Sequence, residues 1–217
     1  MTTSEMIGHV DHTLLKAYAT WEEIQALCDE ALRLHTASVC IPPCYVKAVK
    51  EKYRNTLKIC TVIGFPLGYN TTVSKIFECE NALLNGADEI DMVINIGFLK
   101  AGNYDAVLEE IQALRKNCHG GFEGKLLKVI IETCYLTEEE IIKACELVTE
   151  AGADYIKTST GFGTAGAVPE HVRLMKAHIG PEVKIKAAGG IRTREALEEY
   201  LSLGCDRVGA SATADFV

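Results

Sequence analysis

The chain is short of several things, and each shortage excludes something. It has no apolar run near the ~20 residues that a membrane-spanning helix needs. Basic residues are outnumbered, 22 Lys and Arg against 30 Asp and Glu, for a net charge of −8. Nucleic-acid binders usually carry a basic face, so that class of partner is not expected. The N-terminal stretch MTTSEMIGHVDH lacks a basic segment followed by an apolar one, so no secretion signal is visible. No CxxC and no HExxH occurs, and the histidines form no Cys/His cluster, so neither a metal nor another cofactor is expected. His9 and Asp11 are close enough along the chain to share a metal, but no partner motif accompanies them. The GxGxxG turn of a dinucleotide-binding sheet is missing after the first strand candidate, which weighs against an open doubly wound sheet.

Apolar residues make up 48% of the 217 positions and charged ones 24%, a balance that fits a soluble globular chain. The nine cysteines are odd in number and scattered, several within apolar runs such as SVCI and KICTVIG. They read as reduced thiols of a cytoplasmic protein, mostly acting as small core residues. No linker, low-complexity stretch or charge block divides the chain, so residues 1–217 form one expected domain.

Short β-rich runs alternate with amphipathic ones. The strand candidates are 8–13, 37–41, 58–65, 89–95, 125–132, 154–160, 184–190 and 207–211. Helix candidates at 20–34, 44–54, 71–86, 104–118, 137–152, 169–179 and 193–204 show apolar residues three and four apart. Thr20, Thr137 and Thr193 are placed to cap helix starts, the first two with Glu at the third helical position. Gly86, Gly152 and Gly204 follow helix ends, where a left-handed residue is wanted. Eight strands separated by seven helices predict a (β/α)8 TIM barrel. Only ATADFV follows the last strand, so the final helix is very short or truncated.

The stretch DYIKTSTGFG puts Lys157 inside a strand that reads as buried, where an ammonium is costly. Side chains alternate with period two, so Lys157 shares a face with Tyr155 and Ser159. Lys186 shares one with Lys184, Asp91 with Glu89, Val93 and Asn95, and Lys128 with Ile130 and Glu132. If these faces point inward, strands four to seven send three amines and one carboxylate into one volume. The plain alternative is an internal salt-bridge network, or lysines that reach out to solvent. The chemistry that suits the cluster is amine catalysis. A free lysine has a pKa near ~10.4 and must lose about 3 units to act as a nucleophile near neutrality. A second ammonium ~5 Å away supplies roughly 3 kcal/mol of that at an effective dielectric of ~20, and desolvation supplies the rest. The neutral amine then adds to an aldehyde or ketone and forms a Schiff base, with Asp91 moving protons.

Glycines follow the last three strands: GFG at 161–163, AAGGIRT at 187–193 and GASAT at 209–213. Loops after strands seven and eight of such barrels often hold phosphate. Glycines let the backbone approach it, the helix starting near Arg194 offers NH groups, and Ser211 adds a hydroxyl. The bland reading is a set of tight strand-to-helix turns.

These stretches together resemble the deoxyribose-phosphate aldolase family of class I aldolases. The matching segments are DHTLLK, SVCIPPCYV, VIGFPLG, GADEIDMVIN, LLKVIIET, DYIKTSTGFG, KAAGGIRT and GAS, which span nearly the whole chain. The resemblance implies a TIM barrel and reversible cleavage of 2-deoxy-D-ribose 5-phosphate to D-glyceraldehyde 3-phosphate and acetaldehyde, in deoxyribonucleotide catabolism. It implies that Lys157 is the Schiff-base lysine, Lys186 the lysine that perturbs it and Asp91 the proton-relay acid. Phosphate would rest on Gly189, Gly190, Gly209 and Ser211, with Gly161 nearby. The choice of Lys157 over Lys186 as nucleophile comes from the resemblance alone. Phe162 stands where some members carry lysine, so one phosphate contact is expected to be missing. The chain also lacks the longer tail and terminal tyrosine of some members.

Several points stay open. Cys40 reads as a packed core thiol, or as a thiol near the site. Lys128 is either a catalytic neighbour or a partner for Asp91 and Glu132. Asp11 and Thr13 end the first strand, where they could hydrogen-bond substrate or water. The competing functions are another phosphate-binding aldolase barrel, a sugar-phosphate isomerase or epimerase, and a non-catalytic phosphate-binding module. An epimerase wants metal ligands or paired carboxylates, and a binding module has no use for clustered buried lysines. The expected partners are small phosphorylated sugars and acetaldehyde, with further copies of the chain in a homo-oligomer.

Overall fold

The apolar runs become eight short strands: β1 (Val10–Thr13), β2 (Ser38–Ile41), β3 (Ile59–Ile63), β4 (Glu89–Val93), β5 (Leu126–Ile130), β6 (Tyr155–Lys157), β7 (Lys184–Ala188) and β8 (Arg207–Ala210). In this computed structural model, which describes residues 1–122 and 124–217, the strands close into a barrel in chain order. All neighbours are parallel, and β1 pairs with both β2 and β8. The (β/α)8 expectation holds.

The seven expected helices are present as α2 (Trp21–Leu34), α3 (Val46–Tyr53), α4 (Thr72–Leu84), α6 (Tyr104–His119), α7 (Glu138–Glu150), α8 (Pro169–His178) and α9 (Arg194–Ser202). Two short helices escaped the periodicity reading: α1 (Thr3–Ile7) before the first strand and α5 (Ile96–Lys100) after β4. Each spans little more than one turn, too short for a 3.6-residue pattern to show. After β8 the chain makes only a 3₁₀ turn at Thr213–Phe216. Thr20 with Glu23 and Thr137 with Glu140 form reciprocal capping boxes, and the Thr193 hydroxyl accepts from the Ala196 NH. No described helix is long and apolar enough to cross a membrane.

Five strands stop two or three residues before their sequence pattern does, because the backbone turns once the ladder ends. Asn95 caps α5, while Glu132 sits at φ 52° and Gly189 at φ 89°, both outside the strand region. Lys157 closes β6, at the end of the barrel where such folds place active sites, and Lys186 and Asp91 lie mid-strand on β7 and β4.

Alternation divides the strands cleanly. Val39, Ile59, Ile90, Leu127, Ile156, Ile185 and Val208 face outward and are fully buried under the helices, in the main apolar core. Among the described residues the inward faces carry a small apolar cluster, Cys40, Cys60 and Val62, packed with Leu15 and Phe65, and Val93 and Ile130 are buried on them too. Most of the remaining interior is ionic. Barrels of this type are usually filled with branched apolar side chains, so the departure locates the chemistry.

Candidate active site

Register builds the centre. Lys157 on β6 lies opposite Lys186 on β7, and Asp91 on β4 lies opposite Lys128 on β5. Asp91 Oδ2 accepts from Lys157 Nζ and from Lys186 Nζ, each at 2.7 Å. Two ammonium groups on one oxygen lie no farther apart than the sum of those contacts, so the proximity that the sequence reading required is present. Asp91 Oδ1 accepts from Lys128 Nζ at 2.9 Å and from the Cys60 thiol at 3.1 Å.

Below Asp91 is a second tier. Asp11 Oδ2 lies 2.5 Å from Lys186 Nζ and 3.7 Å from Lys128 Nζ, while its Oδ1 accepts from Arg207 and from the Ser38 hydroxyl at 2.7 Å. Glu89 meets Lys128 Nζ at 2.6 Å and takes a two-pronged contact from Arg207 at 2.9 and 3.3 Å. The cluster of three amines and one carboxylate expected from the sequence is therefore corrected. Four cations (Lys128, Lys157, Lys186, Arg207) interleave with three carboxylates (Asp11, Glu89, Asp91), all of them buried. Glu89 was readable on the face of Asp91. Arg207 opens β8 at its N-terminal end, where an arginine would ordinarily reach solvent.

Electrostatics follow the contacts. Burial pushes Asp91 up, but Lys128, Lys157 and Lys186 outweigh it and hold the carboxyl well below the ordinary range. Asp11 is likewise lowered, burial being overcome by Lys186, Lys128 and Arg207. Burial pulls Lys186 and Lys128 down, yet their carboxylate neighbours win and raise both above the ordinary lysine value. Lys128 is a partner of Asp91, Glu89 and Asp11. Glu132, the other candidate, turns away from it and accepts from the Thr160 NH at 3.1 and 3.3 Å and from the Thr160 hydroxyl.

Above the centre opens a cavity of about 240 Å³. Its wall includes Gly161, Gly189, Gly190, Gly209 and Ser211, so the structure brings together every residue that the sequence assigned to phosphate. Lys157 is the member of the ionic network that reaches this wall among the described residues; Lys186, Asp91 and Lys128 lie beneath it. Asp11 is also beneath and off the cavity wall, whereas Thr13 does line the cavity and donates to the Asp11 carbonyl at 2.7 Å. The wall meets the loop at 188–192 rather than the end of α9, whose cap Thr193 already fills.

The remaining sequence candidates separate. His9 Nδ1 contacts the Asp206 carbonyl at 2.9 Å while Asp11 points into the barrel, so that pair does not converge on a metal. Cys40, Cys60 and Asp91 approach one another, as do Asp11, Cys60 and Glu89, but the carboxylates of both groups already face ammonium or guanidinium ions. Cys40 is fully buried and off the cavity wall, a core thiol; the Cys60 thiol beside it draws its pKa down.

The family model described as DeoC/LacD family aldolase matches residues 5–214. The chain belongs to that aldolase family. A deoxyribose-phosphate aldolase from Clostridium botulinum (strain Alaska E43 / Type E3) is 58% identical over 97% of this chain and 94% of its own length. One from Clostridioides difficile (strain 630) is 55% identical over 94% of this chain and 91% of its own. Among solved structures, a deoxyribose-phosphate aldolase from Aeropyrum pernix, described as tetrameric, superposes with a TM-score of 0.91 at 29% identity, covering 99% of this chain and 90% of that one.

Sequence reasoning missed two cations of this aldolase. Arg192 and Lys16 line the same cavity wall as the glycines. Arg192 had a signal, since it stands two residues after the glycine pair. Lys16 closes the matching segment DHTLLK, but it lies beyond the first strand, where no periodicity tells which way it points. Phe162, at the position expected to cost a phosphate contact, also lines the wall and packs edge-on against Phe65 at 5.3 Å.

Proposed function

We propose that the chain cleaves 2-deoxy-D-ribose 5-phosphate reversibly to D-glyceraldehyde 3-phosphate and acetaldehyde, through a Schiff base on Lys157. The observation that carries this is the position of Lys157: it lines the cavity, touches one carboxylate, and shares that oxygen with Lys186. By comparison, Lys186 touches two carboxylates and Lys128 three. The least supported ammonium is the one next to substrate, which favours Lys157 as nucleophile without appeal to any relative.

The unprotonated amine adds to the C1 aldehyde, and the carbinolamine loses water to give an iminium. The C3 hydroxyl then loses its proton, the C2–C3 bond breaks, and its electrons form the enamine while glyceraldehyde 3-phosphate departs. Protonation at C2 and hydrolysis release acetaldehyde and restore the amine. Asp91, ionised at rest, takes a proton transiently and hands it on between Lys157 and its surroundings rather than storing it. The phosphate sits on Gly161, Gly189, Gly190, Gly209 and Ser211, with Arg192 and Lys16 supplying charge in place of the lysine absent at 162. The reaction belongs to deoxyribonucleotide breakdown in the cytoplasm. Assembly with further copies of the chain is part of the proposal, supported by the tetrameric Aeropyrum pernix relative and by exposed Val73, Phe77 and Leu84 on α4.

Incubation with acetaldehyde, borohydride reduction and peptide mass spectrometry test the reading. An ethyl adduct on Lys157 is expected, and Lys157→Leu should abolish it while phosphate binding persists. An adduct only with ketoses indicates a different aldolase substrate, and no adduct with any carbonyl compound refutes the Schiff base.

A further inference from the structure

The buried network is not charge-balanced, and the surplus comes from a residue far from the substrate. Its fully ionised members are four cations and three carboxylates, none more than 8% exposed. A net buried charge is costly, so one proton is weakly held. Arg207 cannot release it, because a guanidinium stays protonated in proteins. Of the three lysines, Lys157 has the fewest carboxylate contacts. Resting on the assignment of Lys157 as the Schiff-base amine, we infer that Arg207, clamped on the barrel floor by Glu89 and Asp11, is the fixed charge that keeps Lys157 unprotonated, with Glu89 setting the size of the surplus.

The other groups around this interior lie outside the count: Glu132, beyond β5, is taken up by the Thr160 NH and hydroxyl, Lys16 and Arg192 line the cavity above Lys157, and Cys40 is counted as a neutral thiol, which its alanine variant tests. From β2 and β3 come the thiols of Cys40 and Cys60; burial holds Cys60 well above the ordinary thiol value. The Tyr155 ring on β6 lies against the Arg207 guanidinium at 5.7 Å and adds no charge of its own. Lys184, on β7 beside the same ring at 5.8 Å, is exposed and screened by solvent. Arg207 and Glu89 are thus positioning residues. They touch no substrate and line no part of the cavity.

The readout is the pH at which half of Lys157 is labelled by acetaldehyde and borohydride in the full chain. At an effective dielectric of ~20, a unit charge ~10 Å away moves such a midpoint by about one pH unit. Arg207→Met should raise the midpoint by about that much, since three lysines then face three carboxylates. Arg207→Lys, which keeps the charge, should leave it in place. Glu89→Gln should lower it, and the double variant R207M/E89Q should return it close to the starting value. Cys40→Ala should not move it. A structural role alone would lower labelling at every pH without opposed shifts that cancel. An unmoved midpoint in Arg207→Met, shifts of the same sign in Arg207→Met and Glu89→Gln, or a downward shift in Cys40→Ala would overturn the inference. If Arg207→Met does not fold, the double variant R207M/E89Q decides against Glu89→Gln alone, and a midpoint in the double variant as low as in Glu89→Gln would overturn the inference. No label on Lys157 in the unsubstituted protein at any pH would instead overturn the Schiff-base assignment, and the inference with it.

Discussion

Replacing Lys186 by leucine removes one ammonium from the centre and keeps most of its bulk. Lys186 Nζ and Lys157 Nζ each lie 2.7 Å from the same Asp91 oxygen. Their separation is no more than the sum of those contacts, and at ~5 Å and an effective dielectric of ~20 the repulsion of two unit charges is ~3 kcal/mol, or ~2 pH units. In the variant, Lys157 has that oxygen to itself. Labelling of Lys157 by acetaldehyde and borohydride should need a pH higher by about 2 units, so turnover near neutrality should fall ~100-fold and partly recover in alkali. There is a stability cost as well. Asp11 Oδ2 loses its 2.5 Å partner and keeps Lys128 only at 3.7 Å. Breaking a buried pair costs about 3–5 kcal/mol, which for a chain of this size lowers the melting midpoint by roughly 6–20 °C. Thermal denaturation at pH 8 separates the two effects. A folded variant whose rate drops by the same factor at every pH would refute the charge argument for Lys186.

Three other perturbations test different parts of the structure. A methyl group on Gly166 would lie 2.1 Å from the Gly189 carbonyl; Gly166→Ala should displace the phosphate loop and raise KM for the phosphorylated substrate at least ~10-fold, yet leave acetaldehyde labelling of Lys157 intact. Lys75 is buried on α4 and donates to Glu110 and to the Val93 carbonyl, each at 2.8 Å; Lys75→Met should cost about 3–5 kcal/mol in urea unfolding, and adding Glu110→Leu should restore much of it. Asp11 and Asp91 titrate below their unfolded values, so their stabilisation is fully present above about pH 4 and is lost as pH falls through the folded values. Lys128 and Lys186 titrate above theirs, so their stabilisation is present below about pH 10 and is lost only in stronger alkali. Urea midpoints should accordingly fall as pH drops below about 4, and midpoints that hold steady from about pH 5 down to 3 would count against this assignment.

The barrel was legible in the sequence because its signals are local. Period-two runs, amphipathic spacing, the Thr–x–x–Glu caps and the glycines after helix ends each report on a few neighbouring residues, and all agree on eight alternating units. The same holds for the cavity wall proposed to hold phosphate, where glycines cluster after β6, β7 and β8. Alternation also put Asp91, Lys128, Lys157 and Lys186 on inward faces, and with them the proposed amine chemistry. Strand ends were overrun, since Glu132 and Gly189 turn the chain for reasons that lie in the contacts of the folded loops. What only the tertiary structure decided was how many charges meet and which lysine is left least supported. Asp11 on β1, Glu89 on β4 and Arg207 on β8 are distant in sequence. They join one network because the barrel closes β8 against β1, and no local pattern records that closure. A strand tells which way a side chain points; only the closed ring tells what it points at.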